Sequence, residues 1–108
     1  MSHKVIILDV AKPDFRDIKS YVKQNFGDIV WNEVNQEFKD TIKAIGLNPE
    51  SGKLIEELAE LGEGNFRQRL VRQTRVIYEY DDKQVLVHMF LHTKRDFRTH
   101  LVKRMFKI

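Results

Sequence analysis

Four arginines fall within nine residues of this 108-residue chain: Arg67, Arg69, Arg72 and Arg75. A guanidinium is a planar fork of donors that matches carboxylate and phosphate oxygens alike. Such a cluster can bind an acidic peptide or a nucleic-acid backbone, or stabilise charge that develops in phosphoryl chemistry. The two-residue period of a strand puts Arg67 and Arg69 on one face, with Phe66 and Leu70 on the other. Two readings stand side by side: a basic patch, or the solvated face of a sheet covered on one side only. Arg75 carries a similar pair, phosphate binding or an ion pair with Glu79. Tyr78 and Tyr80 share a face with Val76 and read as core, because a one-sided sheet must bury something.

His88 and His92 are four apart on a predicted strand, which points both imidazoles the same way. They suggest metal ligands or acid/base groups, but no third ligand is evident and no metal is expected. The plainer reading places His88 among apolar neighbours and His92 in hydrogen bonds at the strand end; His100 is read likewise. The chain has no cysteine, so disulfides, thiolate metal sites and thiol nucleophiles are excluded. Gly62-Glu63-Gly64 precedes a strand, not a helix, which removes a dinucleotide or phosphate-loop reading and leaves no cofactor expected. Lys94, Arg95, Arg98, Lys103, Arg104 and Lys107 make a basic tail. It is either a solvated helix face or a landing site for an acidic protein or nucleic-acid backbone.

These residues need a scaffold, and the chain supplies one in two halves. Residues 65–108 hold 11 Lys/Arg against 4 Asp/Glu; residues 1–64 hold 8 against 12. An acidic helical half and a basic strand-rich half polarise the surface toward acidic partners. At 42% hydrophobic and 32% charged residues, the chain fits one soluble domain spanning 1–108 and not a disordered segment. No apolar run reaches membrane-spanning length and no signal peptide is evident, so a cytoplasmic protein with no membrane association is expected.

Lys4–Val10 reads as a buried strand. Pro13 suits the first turn of a helix, and Phe15, Ile18, Val22 and Phe26 follow at helical spacing up to a stop at Gly27. Asp28 suits the N-cap of a second helix with Val30, Val34, Phe38, Ile42 and Ile45 on one face. So short a connection predicts an antiparallel helix hairpin. Leu54–Leu61 is open between helix and extended chain. Phe66–Val71, Thr74–Tyr80 and Gln84–His92 read as strands, with a turn at Asp81-Asp82-Lys83. Asp96–Lys107 returns to helical spacing. The expected fold is α+β: an N-terminal strand and helix hairpin packed on a small antiparallel β-sheet, with a C-terminal helix or tail.

Three stretches in order resemble ParE-type toxins of the RelE/ParE superfamily from bacterial type II toxin–antitoxin systems. They are the first strand with Pro13-Asp14-Phe15-Arg16-Asp17-Ile18 and the Phe26-Gly27 hairpin; Ile42–Gly52 with its Asn-Pro-x-x-Gly exit; and the strand segment from Arg75 into Leu91-His92-x-x-x-Asp96-x-x-x-His100-Leu101. The resemblance implies a growth-inhibiting toxin of the plasmid-stabilisation kind, neutralised by a cognate ParD-like or similar small antitoxin with which it can form a hetero-oligomer. ParE-like members poison DNA gyrase. RelE-like members are endoribonucleases that cut mRNA on the ribosome, and for that branch Arg67, Arg69, Arg75, Lys94 and Arg95 would be the catalytic candidates. The C-terminal Tyr of the RelE-like site has no match here; Phe97 and Arg98 stand in its neighbourhood, and neither is a plausible base. The expectation is therefore gyrase poisoning without catalysis. Antitoxin or target would be bound by Phe15, Val22 and Trp31 on the hairpin and by Arg67, Arg69, Arg75, His92, Arg95 and Arg98. A ribosome-dependent ribonuclease and a non-toxic binding protein of the same fold are the rivals.

Overall fold

The computed structural model describes residues 2–56, 65–93 and 103–104. Strand β1 spans Lys4–Ile7. The predicted strand stops three residues early, because Ala11 N donates to Leu8 O and a 3-10 turn forms over Asp9–Ala11. Helix α1 follows over Lys12–Leu47, with Pro13 in its first turn. At Gly27 the backbone takes φ 89° and ψ 174°, outside the helical region. That conformation is almost confined to glycine, and it divides α1 into arms 12–26 and 28–47.

The aromatic contacts show that the arms fold back on each other. In one straight helix Phe15 and Phe38 would lie about 34 Å apart. Their ring centroids are 5.2 Å apart, and Phe15 also meets Trp31 at 5.6 Å and Phe90 at 5.3 Å. Phe38 and Phe90 close the group at 5.7 Å. Edge-to-face aromatic pairs add about 0.5–1.5 kcal/mol beyond the area they bury, so this quartet clamps both arms to the sheet. The stripe read from the sequence lies where it was expected: Val34, Phe38 and Ile45 are buried, and Val30 and Ile42 pack against them.

Beyond α1 come a 3-10 turn at Pro49–Ser51, β2 at Lys53–Leu54, β3 at Arg67–Val71, β4 at Thr74–Tyr80 and β5 at Gln84–His92. The open region Leu54–Leu61 shows its first residue in β2 and Ile55 buried; residues 57–64 lie outside the described residues. So does the helix expected over Asp96–Lys107, apart from Lys103 and Arg104. The β4–β5 turn is held by Asp81, whose Oδ1 accepts from Lys83 N at 2.8 Å and Gln84 N at 2.9 Å.

The sheet order is β1-β5-β4-β3-β2. β2 to β5 run antiparallel to their neighbours, but β1 pairs with β5 in parallel. The sheet is therefore mixed, not antiparallel as expected. A parallel pair needs a long crossover, and here the hairpin and the whole meander supply it. The sheet is not one-sided either. Its helix-side face buries Val71, Val76, Tyr78, Val85, Val87 and Phe90. Its other face carries a second buried cluster of Ile55, Phe66, Ile77, Met89 and Leu91.

A register shift between Ile77 and Tyr78 decides which side chains meet. Ile77 pairs with Met89 and Tyr78 with Val87, so His88 is an extra residue in β5. Such a bulge resets the alternation beyond it.

Candidate partner-binding surface

Directly opposed residues of an antiparallel ladder point to the same face. Arg67 lies opposite Tyr78, Arg69 opposite Val76, and Leu70 opposite Arg75. Arg67 and Arg69 therefore share the helix-side face, and Arg75 is on the reverse. The three arginines do not form one patch.

Arg67 and Arg69 serve the exit from α1. Arg67 Nη1 donates to Gly52 O at 2.9 Å and lies within 3.5 Å of Glu50 O, and Arg69 Nη1 donates to Ser51 Oγ at 3.1 Å. Between them Tyr78 is fully buried, its hydroxyl donating to Pro49 O and accepting from Gly52 N at 3.1 Å. Burial pushes the Tyr78 phenol above its usual pKa, against the lowering effects of the Gly52 hydrogen bond and the two arginines. The Asn48-Pro49-x-x-Gly52 exit now has a physical reason. A Cβ on Gly52 would sit 2.2 Å from the Tyr78 hydroxyl oxygen and 3.0 Å from Gln68 O.

Arg72 turns the β3–β4 hairpin with φ 54°. Its guanidinium grips Glu37 on α1, with Nη2 2.7 Å from Oε2 and Nε 3.1 Å from both carboxylate oxygens. Those hydrogen bonds hold the Glu37 carboxyl below its usual pKa and raise that of Arg72. On the reverse face Arg75 Nη1 donates to Gln68 Oε1 at 3.3 Å. Glu79, the partner considered for Arg75, has Oε1 2.8 Å from His88 Nε2.

The bulge separates the two histidines. His88 faces the reverse side, 5.0 Å from the Phe66 ring, whereas His92 lies opposite Thr74 on the helix side. The expectation that both point the same way fails for that reason. Among the described residues no three metal-ligating side chains come together. Lys94, Arg95, Arg98 and His100 lie outside the described residues.

The hairpin candidates divide as well. Trp31 is 5% exposed and belongs to the core; Phe15 and Val22 are half-buried against it. Toward the tip the apolar groups that reach solvent are Tyr21 at 56%, Phe26 at 59% and Ile29 at 77% exposure. Tyr21 and Phe26 rings are 6.3 Å apart. The sequence signal was present, since Ile29 is out of step with the Val30–Val34–Phe38 stripe.

Asp14 and Arg104 were missed as a pair. Arg104 Nη2 is 3.0 Å from Asp14 Oδ1 and Nη1 is 3.1 Å from Oδ2. Arg104 Nη1 also donates to Val10 O at 3.1 Å and His88 O at 3.2 Å, and Asp14 accepts from Phe90 N at 3.3 Å. The carboxylate and the guanidinium together satisfy backbone that β1 is too short to reach. Nothing in the sequence separates Arg104 from the other basic residues of the tail.

No helix among the described residues is long and apolar enough to cross a membrane. A comparison with curated proteins gives no match. A family model described as "ParE toxin of type II toxin-antitoxin system, parDE" matches residues 5–97, from β1 past the end of β5. The match takes in the hairpin, the pinned exit and the arginine-bearing strands, and the chain belongs to the ParE toxin family of type II toxin–antitoxin systems.

Proposed function

We propose that this chain, acting as one cytoplasmic domain, arrests growth by poisoning DNA gyrase and is neutralised by a small ParD-like antitoxin. The observation that carries this reading is the family match across both halves of the chain. The charge split supports it. An antitoxin tail rich in Asp and Glu, disordered when free, would fold on the toxin and meet the basic half. An apolar helix of that tail would rest on the hairpin tip at Tyr21, Phe26 and Ile29, the exposed groups there. Trp31 would support that surface from beneath.

A ribosome-dependent ribonuclease is the second reading, and one arrangement favours it. His88 is hydrogen-bonded to Glu79 on the reverse face, which also carries Arg75; a carboxylate-oriented imidazole is a recognisable acid/base pair. Against it, Arg67 is occupied with Gly52 O and Arg69 with Ser51 Oγ on the opposite face. Inducible expression in a bacterial host lacking the antitoxin tests the proposal. Growth should stop, mRNA should stay uncut at ribosomal positions, and co-expression of the antitoxin should restore growth. Normal growth at good soluble yield would favour a non-toxic binding protein, and codon-positioned mRNA cuts would favour the ribonuclease.

A further inference from the structure

His88 is the extra residue of the β5 bulge, and neither neighbouring strand pairs with it. On one side β4 sets Ile77 against Met89 and Tyr78 against Val87. On the other side β1 ends first: its register stops at Val87, and its last bond runs from Leu8 N to Val87 O at 3.1 Å. The carbonyl of His88 is taken instead by Arg104 Nη1 at 3.2 Å, from the C-terminal part of the chain. Arg104 is seated by α1 and the turn before it. Its Nη2 is 3.0 Å from Asp14 Oδ1, and Nη1 donates to Val10 O at 3.1 Å. The neighbouring Lys103 is exposed, whereas Arg104 and Asp14 are both part-buried. On the reverse face of the sheet the imidazole of the same His88 has Nε2 2.8 Å from Glu79 Oε1, and its ring is 5.0 Å from that of Phe66. Arg75, the other charged group of β4 on that face, lies further along, opposite Leu91 and bonded to Gln68. His88 is thus gripped twice, at its carbonyl by Arg104 and at its imidazole by Glu79.

We infer that Arg104 is a latch carried by the C-terminal segment. Seated, it fixes the bulge and holds the imidazole of His88 against Glu79; withdrawn, it releases both. A bulge leaves its extra residue outside the ladder, so no register bond of β4 or β1 keeps His88 in place. A carbonyl that loses its donor away from water is costly and turns to find another. The imidazole is borne on the same residue and moves with it. The C-terminal segment is thereby coupled to an acid/base pair on the far side of the sheet, with β5 as the lever. Arg104 is a positioning residue here, because it acts on the pair only through the backbone of His88. The inference goes beyond the proposed function and does not rest on it.

Nuclear magnetic resonance of the full chain tests the latch. The wild type should show an Overhauser contact between the His88 and Phe66 rings, and a visible proton on His88 Nε2, shielded from exchange by Glu79. Arg104→Met keeps the apolar stem of the side chain and removes the guanidinium. Both signals should be lost, while the contact between the Phe15 and Phe38 rings persists. Asp14→Asn leaves Phe90 N an oxygen to bond and loosens the seat of Arg104. It should weaken both signals by about two-fold or more, since a charge-assisted hydrogen bond is roughly twice as strong as a neutral one. Arg72→Met breaks the grip on Glu37, away from His88, and should leave both signals intact. Both signals retained in Arg104→Met, or undiminished in Asp14→Asn, overturns the latch. Their loss in Arg72→Met marks a general loosening and overturns it as well. Should Arg104→Met fail to fold, Asp14→Asn decides by the same criterion.

Discussion

Tyr78 places its hydroxyl between Pro49 O and Gly52 N while Arg67 closes on Gly52 O from the same face. With Arg69, which donates to Ser51 Oγ, three side chains of the sheet fix the turn by which α1 hands the chain to the strands. Tyr78→Phe should cost about 1–3 kcal/mol, because both buried backbone groups lose their partner; the urea midpoint should fall with an unchanged slope. Gly52→Ala should cost as much or more, since the new methyl meets the Tyr78 hydroxyl and the Gln68 carbonyl. The phenol also sets a pH dependence. Its folded pKa lies above the unfolded value of 10.0, so the unfolded chain loses that proton first. Stability is then intact below pH 10 and declines as pH rises past it; Tyr78→Phe should flatten that alkaline limb. At the other end of the sheet, Asp14→Ala should destabilise more than Arg104→Ala. The first leaves the part-buried Arg104 without its counter-charge and Phe90 N without its acceptor, whereas the second leaves Asp14 its bond from Phe90 N. Tyr78 as core was legible from its alternation with Val76. The work of Arg67 and Arg69 was not, because their acceptors, Gly52 O and Ser51 Oγ, are brought in by the exit from α1.

The helix hairpin was legible because a glycine interrupts two continuous apolar stripes. Its conformation makes a sharp prediction. At φ 89° and ψ 174° Gly27 has nothing within 4 Å of a would-be Cβ, so substitution costs backbone strain alone. Gly27→Ala and Gly27→Asn should therefore be destabilising by similar amounts, about 1–3 kcal/mol. Asn should give no relief, because its tolerance is for the left-handed helical region and not for this one; thermal melts of the two variants check this. The bulge in β5 was harder to see. Met89-Phe90-Leu91 is a run of three apolar residues, which breaks alternation, but two covered faces produce such a run without a bulge. Only the ladder shows that His88 is the extra residue, and with it that His88 and His92 face apart. The parallel pairing of β1 was equally hidden, since an apolar strand of four residues carries no mark of its direction.

Among the described residues the basic half is less a single cationic face than two faces with different duties. Arg67, Arg69 and Arg72 join the sheet to α1 and its exit, and Arg75 lies on the reverse with Glu79 and His88. A ribonuclease built on all three strand arginines loses its geometric basis, while the family match keeps the toxin assignment firm. The α+β class and the hairpin followed from periodicity; the partner class followed from motif order and charge. The most direct measurement is gyrase activity on plasmid DNA in the presence of the purified chain. The account expects loss of supercoiling and accumulation of gyrase-cleaved DNA, both reversed by the antitoxin. Full supercoiling with the toxin in molar excess over gyrase, from a preparation that arrests growth when expressed, would contradict it.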